Sequence, residues 1–297
     1  MDRRRYLQVL GVGGALSIAG CADSDSADTD ATVRGKTLTL ATATTAHDSG
    51  LLDELNPEVE RLFGAGVDAV VRGTGASLQV ARDGDCDVVL VHARPLEDEF
   101  LRAGHGINRR SVMVNDFLVV GPPDDPAGIA GEAPLAAFEA IADAGAPFVS
   151  RGDRSGTHVR ERRLWAEAGI DPRGKWYAET GQGMGKTLLV AANTGAYTLT
   201  DRGTFLNVAD ERLRAHVDYG IEDPPSLLRN EYAVIPVNPA RHRTNYSLAM
   251  AYVGYLTGPG RSGIESFRID GKRAFRPLGP GETPSFEQYV PRDWRRE

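Results

Sequence analysis

Two periods organise the apolar positions of this chain. Lys36–Ala41 (KTLTLA) alternates apolar and β-branched residues, the period of a half-buried strand. Val67–Val71 and Tyr232–Val237 read as strands as well, and Asp87–His92 (DVVLVH) is the near-continuous run of a strand buried on both faces. Shorter strands are expected at Phe117–Val120, Pro147–Ser150 and Ala196–Thr200. Between them the spacing turns helical: from Leu51 behind Asp48-Ser49-Gly50, over Ala76–Asp83, Leu135–Ala144, Ser155–Ala168, Lys186–Asn193 and Tyr246–Leu256. Strand and helix alternate with no internal repeat. That order predicts an α/β architecture whose layers hold largely parallel sheets flanked by helices.

Pro-rich punctuation at Gly121–Pro126 and Asp223–Pro225 brackets a middle block. We read the brackets as crossings between two lobes. One lobe is discontinuous, residues 35–120 and 226–297, and the other is residues 121–225. Ligands in such folds sit in a cleft beyond the carboxyl ends of the strands, at helix N-termini.

The start of the chain has a separate logic. Arg3, Arg4 and Arg5 precede Tyr6-Leu7 and an apolar, Gly-rich stretch from Val9 to Ala19. That stretch falls short of the ~20 residues a spanning helix needs. Arg-Arg-x-aromatic-Leu resembles a twin-arginine export signal, and Ile18-Ala19-Gly20-Cys21 resembles a lipobox in which Cys21 carries lipid. Residues 1–20 are therefore expected to be an export signal. Residues 21–34, acidic and poor in large apolar side chains, are expected to be a flexible tether. Stable anchoring needs two acyl chains, because one holds a bilayer only marginally.

Composition narrows the function. With 41% apolar and 25% charged residues the chain is globular in character. Its net charge of −7 disfavours general nucleic-acid binding. Two cysteines make neither a disulfide framework nor a four-cysteine zinc site. Lysine occurs only at Lys36, Lys175, Lys186 and Lys272, so arginine carries nearly all the positive charge, as a salt-rich habitat or codon bias toward arginine would both produce.

Three strand-to-helix junctions carry the candidate chemistry. Ala41-Thr42-Ala43-Thr44-Thr45-Ala46 gathers hydroxyls and backbone N–H groups, as an anion site or a Thr-rich capping turn would. In Arg72-Gly73-Thr74-Gly75-Ala76-Ser77 glycine lets backbone amides approach a ligand, although a lone GxG is common. Ser150-Arg151-Gly152-Asp153-Arg154-Ser155-Gly156-Thr157-His158 is the most specific. It brings an arginine fork, two hydroxyls and a helix start together, with Asp153 holding the arginine or capping the helix. Junctions in both lobes suit a clamp that closes on a small oxyanion.

Other features carry less. Gly181-Gln-Gly-Met-Gly-Lys-Thr187 imitates a P-loop, but Thr180 stands where the first glycine belongs. The six histidines form no ligand-spaced pair, so no metal is expected; His47 and His158, beside two of the junctions, suit capping or packing. Cys86 reads as a small buried side chain. Ser155 and His158 leave an exported serine hydrolase as the enzyme alternative, without a GxSxG elbow.

Over Leu38–Pro239 the chain resembles the substrate-binding components of tungstate ABC importers, within the periplasmic oxyanion-binding proteins. The stretches that carry the likeness are ATATTAHDSGLLDEL, GTGASLQVARDGDCDVVLVHA, VMVNDFLVVGPPDDPAGI, FVSRGDRSGTHVRERRLWAEAG, WYAETGQGMGKTL, AYTLTDRGTFL and EYAVIPVNP. The resemblance implies a class II two-lobed binding fold, no catalysis and no cofactor. It also implies a tungstate or molybdate ligand and, as partners, an ABC permease with its ATPase; with the lipobox, a monomer held at the outer face of the membrane through Cys21 is expected. Carried onto this sequence, the ligand residues fall on Thr44, Thr45, Thr74, Ala76, Arg151, Ser155 and Thr157. Ala43 and Ala46 stand where the family usually has hydroxyls, and Arg154 where it has a small polar or acidic residue. Sulfate and phosphate are the rival anions.

Overall fold

The structure, a computed structural model, describes residues 33–208 and 210–278. It opens with β1 (Thr37–Ala43), α1 (Thr44–Asp48), α2 (Leu51–Phe63), β2 (Gly66–Arg72), α3 (Thr74–Asp83), β3 (Val88–Val91) and α4 (Arg94–Arg102). β1 lies between β2 and β3 and runs parallel to both, Leu40 opposite Ala69 on one side and Val88 on the other. Helix α2 buries Leu51, Leu52, Leu55 and Val59, one stripe at helical spacing, and ends at Gly64 with φ 64°.

β4 (Arg110–Gly121) then leaves this part of the molecule. The second half holds α5 (Pro134–Ala144), β5 (Phe148–Ser150), α6 (Gly156–Glu167), β6 (Tyr177–Glu179), α7 (Met184–Thr194), β7 (Thr198–Asp201), α8 (Arg202–Val208) and β8 (Arg214–Val217). β9 (Arg229–Pro236) returns to the first half, followed by α9 (Tyr246–Thr257) and α10 (Gly260–Ser266). The short pair β10 (Arg268–Ile269) and β11 (Lys272–Arg273) precedes β12 (Arg276–Pro277), which lines the sheet edge beside β4.

The main sheet runs β12-β4-β9-β3-β1-β2, and β7 and β8 join it through β4. Its parallel character is confined to β2-β1-β3, with a separate parallel β5–β6 pair. Every pairing of β4 and β9 is antiparallel. The reason is geometric: two strands that carry the chain out and back must run in opposite directions. β4 is also longer than the Phe117–Val120 core of apolar residues suggests, because Asn115-Asp116 interrupts an otherwise buried run. Met184, not Lys186, starts α7.

Buried apolar residues segregate. Leu38, Leu40, Leu55, Val112, Met113, Tyr232, Val234 and Tyr252 share a first-half cluster. Phe117, Val119, Phe138, Phe148, Trp165 and Leu228 form a second-half cluster. There Trp165 meets Phe138 and Phe148 edge-on, centroids 4.4 and 5.1 Å away, contacts of about 0.5–1.5 kcal/mol each beyond burial. Cys86 is buried as a free thiol that burial pushes up to about 12. Among the described residues no helix is long and apolar enough to cross a membrane, and no group of three or more His, Cys, Asp or Glu is placed to hold a metal. The export signal, Cys21 and most of the tether lie outside the described residues, as do residues 279–297.

Candidate functional site

Helix starts converge where the halves meet. α1 begins directly after β1, with Ala43 still extended. α3 starts at Thr74 behind Gly73, and α6 at Gly156 behind Ser155, whose hydroxyl accepts the His158 N–H at 3.2 Å. The Gly73–Gly75 turn packs on the Asp153–Ser155 loop. A methyl at Gly75 would lie 3.3 Å from the Arg154 carbonyl oxygen, and one at Gly73 3.6 Å from the Asp153 carboxylate. The first bond of the α3 ladder runs from the Ser77 N–H to the Gly73 carbonyl, so the N–H groups of Thr74, Gly75 and Ala76 precede it.

Arg151 is 2% exposed. Its Nη2 donates to Asp153 at 2.5 Å and Nη1 donates to the Thr44 hydroxyl at 3.4 Å, while Nε is buried without a partner. The hydroxyls of Thr74 and Thr157 are likewise buried and unpartnered. Leaving such a group unsatisfied costs about 1–3 kcal/mol, and folded proteins pair nearly all of them. An arginine N–H can only donate. These orphans at the starts of α3 and α6 therefore call for an acceptor, and the charge of Arg151 calls for an anionic one.

The loop is braced from behind. Asp153 uses both oxygens, Oδ2 on Arg151 and Oδ1 on the Ser155 N–H at 3.1 Å. The Ser150 hydroxyl donates to Glu161 at 2.7 Å, and its oxygen accepts the Gly152 N–H at 3.3 Å, which fixes the backbone on both sides of Arg151. Glu161 also accepts from Trp165 Nε1 and the Tyr177 hydroxyl, and burial pushes it up to about 7. Gly152 sits at φ 64°, and a methyl there would lie 2.6 Å from the Glu179 Cβ, so only glycine fits. The P-loop look-alike braces the same turn: the Gly181 N–H donates to the Arg151 carbonyl at 2.8 Å.

The expected residues thus divide. Arg151 meets Thr44 directly, and the turns at which Thr74 and Thr157 stand pack on each other. Thr45 is fully buried and its hydroxyl is engaged, accepting from the Tyr232 hydroxyl at 3.0 Å and lying 3.1 Å from His92 Nε2. Ser155 is a helix cap. The side chain of Ala76 is exposed, so only its backbone N–H faces the junction's chemistry. Arg154 is exposed at φ 57°, and Ala43 and Ala46 are buried. The Ser155 hydroxyl takes the His158 backbone N–H, and the His158 ring takes the Arg154 N–H at 3.0 Å. That arrangement gives a hydrolase no activated serine. His92, Asn115, Glu161, Asp201 and Asn230 were not anticipated. For His92, Asn115, Asp201 and Asn230 the signal is a polar residue inside or at the end of a buried apolar run, as in DVVLVH, VMVNDFLVV and YTLTD, whereas Glu161 stands among arginines and has no such signal.

A profile of the PBP superfamily domain matches residues 26–259. A Haloferax volcanii protein assigned as an ABC transporter anion-binding protein is 50% identical over 98% of this chain and 90% of its own. The tungstate-binding protein TupA of Peptoclostridium acidaminophilum is 42% identical over 77% of this chain and 80% of its own. Among solved structures, the tungstate ABC transporter from Geobacter sulfurreducens superposes with a TM-score of 0.72 at 44% identity, covering 78% of this chain and 98% of the other. These relatives are binding components of transporters, not enzymes. Identity of this extent, over this much of each chain, makes the protein a member of the PBP superfamily and, within it, of the TupA family of substrate-binding proteins.

Proposed function

We propose that this protein captures tungstate outside the cytoplasm and delivers it to the permease of an ABC importer. The observation that carries the reading is the set of orphaned donors, Arg151 Nε with the Thr74 and Thr157 hydroxyls, where α3 and α6 begin. Tungstate is a dianion with no proton near neutral pH, so it needs donors only. Asp153 turns one oxygen to Arg151 and the other to the Ser155 N–H, so in this reading it holds the loop. Thr44, the α3 N–H groups up to Ala76 and the Gly156 and Thr157 N–H groups complete the proposed contacts, and Ser155 and Thr45 position them. Molybdate has the same shape and charge and is the second ligand. No cofactor takes part. The chain is proposed to act as a monomer, exported through the Arg3–Arg4 signal, lipidated at Cys21 and held at the membrane by its acidic tether.

Isothermal titration of the protein from Ala22 onward, in high salt, tests the reading with tungstate, molybdate, sulfate and phosphate. Tight one-to-one binding of tungstate with sulfate and phosphate silent is expected. Silence toward all four anions would refute it.

A further inference from the structure

A chain of buried polar side chains crosses the molecule behind the anion site. The Tyr232 hydroxyl donates to the Thr45 hydroxyl, which in turn donates to His92 Nε2 at 3.1 Å. His92 Nδ1 donates to Asn230 Oδ1 at 2.8 Å, Asn230 Nδ2 to Asn115 Oδ1 at 2.7 Å, and Asn115 Nδ2 to Asp201 Oδ1 at 3.4 Å. Asp201 also receives the N–H and hydroxyl of Thr204. Along these links the donors run one way, which takes neutral His92 with its proton on Nδ1, and Asn230 Nδ2 also reaches back to the Tyr232 hydroxyl at 3.4 Å. Burial holds His92 down to about 4, so that form persists through the neutral range.

The chain's position is informative. Asn115 lies directly opposite Asn230 in the register of β4 and β9, the two strands that join the halves. On β4 the apolar residues change cores between Met113 and Phe117, and on the returning side they change between Leu228 and Tyr232. The layer between is polar and buried: Asn115, Asp116 and Asn230, with Arg202 of the second half gripping Asp116 through two bonds of 2.6 and 2.7 Å. Thr45 is next to Thr44, which meets Arg151, and Asp201 ends the second-half strand β7. The longest link, Asn115 to Asp201, is the one that passes from a crossing strand into the second half. Asp201 itself pairs with Phe117 of β4, so this link ties the end of β7 to the crossing strand two residues from its own register partner.

We infer that His92, Asn115 and Asn230 are positioning residues that set how readily the two halves close, and so fix affinity without touching the anion. The inference rests on the anion-capture reading. Its signature is distinct: affinity scales with the fraction of protein in the closed arrangement, which is the same whatever anion arrives.

The test compares Asn115→Ala and His92→Gln with the wild type, as full chains in detergent, by calorimetric titration of tungstate and molybdate. In both variants the dissociation constants for the two anions rise together, by about tenfold, with their ratio unchanged. Solution scattering of the anion-free protein shows a larger radius of gyration than in the wild type. Should Asn115→Ala fail to fold, judged by melting, His92→Gln carries the comparison. Constants within about twofold of wild type, or unequal factors for the two anions, would overturn the inference. If the wild type binds neither anion, the capture reading falls instead, and an unchanged radius of gyration then sinks the hinge role separately.

Discussion

Arg151 concentrates the site's charge, and its surroundings define what replacing it does. Asp153 holds one nitrogen, Thr44 takes another and Nε waits for a partner. Charge-assisted bonds in a dry site contribute about 1.5–3 kcal/mol each, so Arg151→Ala is expected to weaken tungstate binding by about a hundredfold or more. Circular dichroism should stay native, because Ser150, Gly152 and Gly181 hold the loop by other bonds. Tungstate titration of this variant that matches wild type would remove Arg151 from the site. Thr157→Val is the subtler probe. It deletes a buried hydroxyl that has no hydrogen-bond partner within the protein, so the melting temperature should hold or rise while affinity drops by about tenfold. A lower melting temperature with unchanged affinity would make that hydroxyl structural.

Helix α6 joins the proposed anion site to the second-half core, with Thr157 at its start and Trp165 near its end. Glu161 lies between, and burial lifts it from 4.5 to about 7. The folded chain therefore keeps a proton that the unfolded chain releases, and the associated stability is complete below about pH 4.5 and lost as pH rises through 7. Asp201, lifted to about 6, acts in the same sense at lower pH. His92, held down to about 4, acts oppositely: its contribution is present above 6.5 and lost as pH falls toward 4. From pH 6.5 to 8 the melting temperature of the wild type is expected to fall, and that of Glu161→Gln to fall less; parallel slopes would contradict the assignment. The elements themselves were unevenly legible. β1, β3, α2 and α6 carry clean periods and obvious starts. α4, sequence RPLEDEFLR, is too charged to reveal its buried stripe, and the first half of β4 is masked by Arg110-Ser111 and Asn115-Asp116. In the proposed site, Arg151, Thr74 and Thr157 stand out in the sequence because hydroxyls and glycines at helix starts have a local meaning. His92, Asn115, Asn230 and Asp201 were not, because His92 and Asn230 are 138 positions apart and meet only through strand pairing.

At the scale of the whole molecule, the proposed export signal at Arg3–Arg4 decides where the protein ends up. A twin-arginine pathway carries folded cargo across a membrane. Replacing Arg3 and Arg4 by lysine should leave the protein inside the cell, read by fractionation; unimpaired export would assign the general secretory route. Cys86 has a practical consequence for the mature domain. Two cysteines serve the full chain, and from Ala22 onward Cys86 alone remains, buried at 3% exposure with its thiol pushed up to about 12. A thiolate is the form that maleimides attack, and this one neither ionises near neutral pH nor meets solvent. From Ala22 onward the chain is thus a background that maleimide dyes leave unlabelled. A cysteine introduced on each half would take up a donor and an acceptor dye without competition. Energy transfer between them would then report the span of the clamp in real time, molecule by molecule, as the anion arrives and leaves.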